Sequence, residues 1–336
     1  MNYYRRNRKW LLYMIPVLIL HVIGLLFLLI AADGRPSLWG LGLLAYTLGL
    51  RHAFDADHIT VIDNTVRKLV QQKSNSAGVG FYFSLGHSSV VFVAVVIMVL
   101  SMHWMNTNLD VLQEVGGIFG PSISGLFLLF IGFLNLWVLL DLVRLFRRLH
   151  GSAYKEEESG ELMYQRGLLS RWIRPLYKLV NRSWHIYPLG FLFGLGLDTA
   201  SEILLLVVSG SAISGGVPAV GIFALPILFA AGMVLMDTAD GIFMTSAYRW
   251  ALNTPQRKLY YNIFVTGLGV TAAFIIGTVQ LAQVFSTEMN WRGAIWMWFQ
   301  AIDFGILGYA LVALFLLSWA VSRGIWRRKK VKSSVI

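Results

Sequence analysis

Long apolar stretches separated by short polar segments organise this chain. Eight of them, at approximately 11–32, 38–61, 81–101, 123–145, 187–208, 219–246, 260–285 and 297–321, are each long enough to cross a bilayer, which takes ~20 residues of helix. The pattern predicts an all-α integral membrane protein with eight transmembrane helices. Residues 1–336 form a single polytopic membrane domain, with a polar loop at 147–186 between the fourth and fifth spans. The first span follows a basic segment that imitates the start of a signal peptide. Its apolar run exceeds the ~7–15 residues of a signal core, so it reads as an uncleaved span.

Hydrophobic residues make up 57% of the chain and mean hydropathy is +0.64, which excludes a water-soluble domain of this length. Of the 28 Lys and Arg, 25 fall in segments 1–10, 62–80, 144–186, 247–259 and 322–336. The positive-inside rule therefore puts both termini and the 147–186 loop in the cytoplasm. The net charge of +11 arises beside spans, where basic residues meet lipid headgroups, so the partner is the bilayer and not nucleic acid. Within the loop, the acidic run Glu156–Glu158 with Glu161 precedes Arg166, Arg171, Arg174, Lys178 and Arg182. This predicts a mobile acidic turn and then a short helix on the membrane surface, serving as a linker.

Against this background one stretch stands out: Arg51-His-Ala-Phe-Asp-Ala-Asp-His-Ile59, inside the second span. His52, Asp55, Asp57 and His58 are four ionisable groups in seven positions. Such groups are costly in hydrocarbon, and they ordinarily face a cavity or an ion path. Imidazole with carboxylate is also a ligand set for divalent first-row metals. On a regular helix Arg51, His52, Asp55 and His58 share a face and Asp57 does not. Local unwinding would bring Asp57 into the site as well.

Other spans carry matching groups. The third has His87 beside Gly86, Ser88 and Ser89; the fifth has Asp198 and Glu202 four apart; the sixth has Asp237 and Asp240 on a stripe with Met233 and Met244. These acids need positive partners, and Arg51 is the one fixed positive charge expected deep in the membrane, so a cation pathway balances the rest. The candidate metal residues are therefore His52, Asp55, Asp57, His58, His87, Asp198, Glu202, Asp237 and Asp240. His21 reads as a packing residue, His103, His150 and His185 as loop or interface residues, and Asp141 and Asp303 as span-end groups.

With no cysteine in the chain, thiolate ligands, disulfides and a thiol nucleophile are absent together. There is no Gly-x4-Gly-Lys-Ser/Thr, so no nucleotide site is expected. There is no His-Glu-x-x-His, and Asp57-His58 lacks the further histidine of a His-x-His-x-Asp-His site, so a metallohydrolase is disfavoured and the chain is not read as an enzyme. Leu48-Gly-Leu-Arg-His before the acids of the second span resembles Leu195-Gly-Leu-Asp-Thr in the fifth. Each is followed by a span with a glycine-containing polar break, at Leu85-Gly-His87 and at Gly232. Opposite crossing directions would make the halves an inverted repeat, with a site near the midplane.

Four motifs in order carry a resemblance to the nickel/cobalt permease family (NiCoT). They are Arg51–Ile59 continuing to Ile62-Asp-Asn-Thr65, Leu85-Gly-His87, Leu197-Asp-Thr-Ala-Ser-Glu202 and Gly232-Met-Val-Leu-Met-Asp-Thr238. The resemblance covers nearly the whole chain and implies uptake of Ni2+, Co2+ or both, as transported substrate and without a cofactor, by a secondary permease of the cytoplasmic (inner) membrane. The family's essential His-x4-Asp-His carries onto His52, Asp57 and His58, and its third-span histidine onto His87; Ser201 stands where many members have Thr. Efflux of the same metals is the alternative. It is weighed down by a 147–186 loop holding only His150 and His185, where exporters carry many histidines.

Overall fold

In hydrocarbon every backbone N–H and C=O must be paired inside the protein, so apolar stretches of this kind become helices. The computed structural model describes residues 10–151, 180–196, 200–251 and 255–333, and there it is helical without a strand. The helices are α1 (Leu11–Ala31), α2 (Ser37–His52), α3 (Ala56–Gln71), α4 (Val79–Leu100), α5 (Met102–Gly151), α6 (Tyr187–Gly194), α7 (Ala200–Ser214), α8 (Ala219–Ala251), α9 (Pro255–Glu288), α10 (Ala294–Gln300) and α11 (Phe304–Ser333). A 3-10 turn at Ser183–Ile186 leads into α6. The acidic run and surface helix expected within 147–186 fall mostly on 152–179, outside the described residues.

Six segments among the described residues are long and apolar enough to cross a membrane: Leu11–Ala31, Val79–Leu100, Glu114–Arg144, Ala219–Arg249, Ile263–Glu288 and Phe304–Val321. The chain is a multi-pass membrane protein. Three of the eight expected spans are not continuous helices. The stretch 38–61 is divided between α2 and α3, and 187–208 between α6 and α7. The last expected span also breaks, because Asp303 starts a new helix at α11. Its Oδ1 accepts the N–H groups of Gly305 (2.7 Å) and Ile306 (3.1 Å), a side-chain cap of the usual kind. The segment 102–122, expected as an external loop, is part of α5 instead.

The larger correction concerns α3. Residues 62–71 were expected in a cytoplasmic loop, yet they continue a helix that is buried at every position from His58 to Val70. It packs against α4, α5, α8, α9 and α11. Its polar side chains are tolerated because protein, not lipid, surrounds them. Arg67 (2% exposed) and Lys68 (4%) therefore lie inside the bundle. Arg51, expected to be the deep positive charge, is exposed.

Small residues let these helices approach closely, as they do in membrane bundles generally. A methyl group on Gly49 would fall 2.0 Å from the Phe229 carbonyl oxygen, and one on Gly232 2.5 Å from that of Tyr46, so α2 lies directly against α8. Gly86 and Gly190 do the same between α4 and α6, against the carbonyls of Tyr187 and Phe83. Gly86 and Gly232 thus mark close contacts in unbroken helices, not the polar breaks expected there.

The division of the second span has a defined form. The N–H groups of Phe54 and Asp55 return to the carbonyls of Arg51 and His52 at 3.0 Å. Asp55 is then extended (φ −63°, ψ 141°) and α3 begins at Ala56. Helix α11 braces this turn: the Tyr309 and Phe54 rings are 5.0 Å apart, and a Cβ on Gly308 would sit 1.5 Å from the Phe54 carbonyl oxygen. Gly308→Val should therefore push α11 off the turn. Overpacking costs about 1–3 kcal/mol, visible as a lowered Tm in detergent, whereas Gly40→Ala, with open space around it in helix α2, should not lower Tm.

Candidate metal centre

His58 lies six positions beyond His52, which on a straight helix is ~9 Å of rise. The turn at 53–55 removes that separation. His52 ends α2, His58 stands in the first turns of α3, and their ring centroids are 4.7 Å apart. His87 of α4 completes a triangle, 4.8 Å from each. All three are buried, at 1%, 0% and 4% exposure. Among the described residues they form the one group of three or more such side chains with ligand atoms within 4.8 Å of one another.

Each imidazole has a carboxylate beside it from a different part of the fold, on the Nδ1 side of His52 and His58 and on the Nε2 side of His87. Asp55 Oδ2 lies 3.0 Å from His52 Nδ1, at ion-pair distance but out of hydrogen-bond alignment. Asp237 Oδ2, on α8, is 3.0 Å from His58 Nδ1 and also accepts the Ser84 hydroxyl. Glu202 Oε1, on α7, is 2.9 Å from His87 Nε2. A carboxylate behind a histidine fixes the ring's orientation and raises its basicity as a ligand.

The inner edges of the triangle are underused. His52 Nε2 and His87 Nε2 are 2.9 Å apart, which requires a shared proton. The same spacing is that of two ligands at right angles around one ion, given bonds of ~2.1 Å. His58 Nε2, His87 Nδ1 and Asp237 Oδ1 have no hydrogen-bond partner, an arrangement costly in a dry interior. Phe83 meets His58 edge-on at 4.8 Å and Phe229 lies 5.9 Å from His52, so apolar rings wall the group. The donor set of nitrogen with carboxylate oxygen suits a borderline first-row divalent cation.

Two other candidates, Asp57 and Asp240, fall outside this triangle. The chain does break, as the unwinding alternative required, yet Asp57 turns away. Its Oδ1 accepts the His58 backbone N–H at 2.9 Å, and its Oδ2 accepts Gln280 Nε2 at 3.3 Å. Gln280 in turn accepts the Ser124 hydroxyl at 2.7 Å, so α5 and α9 steady the start of α3. Asp240 sits one turn beyond Asp237 with Oδ2 unpartnered, close enough to interact electrostatically with Asp237 and Asp63. Asp198 lies outside the described residues. His21 is a packing residue, bonded to the Val17 carbonyl (2.8 Å) and the Tyr46 hydroxyl (3.2 Å).

Sequence reasoning passed over Ser84, Ser124 and Gln280. Ser84 had a signal, since it precedes His87 by three residues and shares its helical face; Ser124 and Gln280 had none, being isolated in apolar helices. It quoted Asp63 and Asn64 only within a motif and missed Arg67, Asn135 and Tyr248, which join them in a second buried polar cluster further along α3.

The chain is similar to known proteins over nearly its whole length. A family model described as "High-affinity nickel-transport protein" matches residues 38–324. The nickel transporter NixA of Staphylococcus aureus is 50% identical over 99% of this chain and 98% of its own length. High-affinity nickel-transport protein NixA of Helicobacter pylori is 48% identical over 96% and 98%, and cobalt transport protein NhlF of Rhodococcus rhodochrous is 38% identical over 90% and 88%. No solved structure matches the chain. With broken-helix histidines at its centre and relatives matched nearly end to end, the chain belongs to the high-affinity nickel-transport protein family.

Proposed function

We propose that this protein imports Ni2+, with Co2+ as a second substrate, across the cytoplasmic (inner) membrane as a secondary permease, through a site ligated by His52, His58 and His87. The observation that carries the reading is the triangle of three buried imidazoles, each backed by its own carboxylate. Both termini are cytoplasmic, and the divided helices of the second and fifth spans correspond to one another in an inverted repeat. Each pair counts as one crossing, which restores eight. Divided helices in corresponding positions of two halves are the usual setting of a midplane ion site.

The ion approaches from the outer side along α2. Asp55, whose side chain is 15% exposed, attracts the hydrated cation at the rim and His52 takes it up. As water is shed, nitrogen atoms from three helices replace it, with Glu202 Oε1 beside His87 as a fourth donor. Asp237 and Asp55 hold the rings in register. The proton shared by His52 and His87 leaves, because metal and proton compete for the same lone pairs. An inward-negative potential favours entry by ~2.3 kcal/mol per charge per 100 mV, hence ~4.6 kcal/mol for a divalent ion.

Uptake of radiolabelled nickel at nanomolar concentration tests the reading. Alanine at His52, His58 or His87 should each abolish uptake to at least tenfold below wild type, while His21→Ala should retain it. Accumulation in wild-type cells no higher than in empty cells would overturn import. The supporting carboxylates should show a graded effect: Asp237→Asn should weaken nickel binding by 10–100-fold, the usual cost of losing such a partner, measured by equilibrium dialysis in detergent. Calorimetry in buffers of differing ionisation enthalpy should find about one proton released per ion bound; no release would contradict the shared proton.

A further inference from the structure

Beyond the triad, α3 carries a second buried polar cluster to which no role has been given. At ~1.5 Å of rise per residue, Asp63 lies ~7.5 Å and Arg67 ~13.5 Å past His58 along the helix. Arg67 NH2 donates to Asp63 Oδ2 at 2.9 Å and to Asn64 Oδ1 at 2.6 Å. The cluster reaches three of the five helices packed around α3. Asn135 of α5 donates to Asn64 Oδ1 at 2.6 Å, the Tyr248 hydroxyl of α8 donates to Asp63 Oδ1, and Arg67 NH1 reaches the Val265 carbonyl of α9 at 3.5 Å. Gly269 of α9 leaves the room for the guanidinium, since a Cβ there would fall 2.1 Å from Arg67 NH2. Asp63 and Asn64 are fully buried and Arg67 is 2% exposed.

A fixed positive charge is the least expected group on the route of a divalent cation. Here it joins four helices in one cross-section of the bundle, between the triad and the end of α3 at Gln71, from which residues 72–78 lead into α4. The carboxylates continue past the triad toward it: Asp237 behind His58, then Asp240 with an oxygen unpartnered, then Asp63. We propose that the Asp63–Arg67 pair, tied by Asn64, Asn135 and Tyr248, is the closed barrier on the cytoplasmic side of the site, and that the ion passes it when Asp63 releases Arg67. The guanidinium holds the place of the ion on Asp63 while the barrier is shut. Opening then requires breaking one ion pair and its ties rather than unpacking the helices. The proposal rests on the triad as the ion site and on the inward direction of α3.

The natural absence of cysteine makes a reporter simple. Thr60 lies between His58 and Asp63, is 1% exposed and has an unpartnered hydroxyl. In Thr60→Cys, a membrane-impermeant maleimide is applied in chelator to inside-out and to right-side-out vesicles. With the barrier closed, labelling is slow from both faces. Adding Arg67→Gln should speed labelling at least tenfold from the cytoplasmic face alone, and Tyr248→Phe, which removes one tie and spares the ion pair, two- to threefold. Arg67→Lys should restore most of the protection. Nickel affinity of each variant in detergent, measured separately, should stay within threefold of its parent. Loss of binding in the wild type would overturn the triad and leave the labelling result to decide the barrier. Labelling unchanged in both Arg67→Gln and Tyr248→Phe, or raised equally from both faces, would overturn the barrier; if Arg67→Gln does not fold, Tyr248→Phe decides alone.

Discussion

Everything in this bundle depends on a three-residue interruption of one helix. Ala53, Phe54 and Asp55 end α2 and restart the chain as α3, and only that turn lets His52 and His58 face the same point. A straight helix would keep them ~9 Å apart along its axis. The interruption exposes backbone groups in a place where water cannot satisfy them, so it survives only under a cover of protein. The cover is α11, whose Gly308 lies against the Phe54 carbonyl, and whose Tyr309 packs on the Phe54 ring. Asp57 fastens the other side, spending one oxygen on the His58 N–H and the other on Gln280.

From this turn the logic of the site follows. In the proposed site three imidazoles would recognise a borderline divalent cation, with Asp55 and Asp237 beside the Nδ1 atoms of His52 and His58 and Glu202 beside His87 Nε2 supplying negative charge. The second cluster, Asp63 with Arg67, uses the same chemistry in reverse, with a carboxylate held by an internal cation. One central helix therefore carries both the proposed site and its proposed closure, and a tilt of α3 against α5, α8 and α9 would couple them.

Much of this was legible in the chain, and the reasons for the rest are physical. His52, His58, His87, Glu202 and Asp237 stood out because ionisable groups in apolar spans have few explanations, and the structure gathers all five. The break at 53–55 was open to either reading, since hydropathy averages over ~20 residues and does not register a turn of three. Arg67 and Lys68 misled for a different reason. Next to Lys73 they resemble the basic end of a span, but α3 is ringed by five helices, and a polar group there meets protein where a span end would meet water. Asp57 is held away from the triangle because an acid in the first turn of a helix is well placed to bind its free N–H groups, as it does that of His58. Gln280 and Ser124, which hold Asp57, act through distances that only the folded chain creates.

The most direct test of the central claim is X-ray absorption spectroscopy of the nickel-loaded protein in detergent. The account predicts a nitrogen/oxygen shell near ~2.1 Å with outer-shell scattering from three imidazoles, falling to two in His52→Ala. A shell of oxygen alone, without imidazole scattering, or a spectrum unchanged by His52→Ala would contradict it.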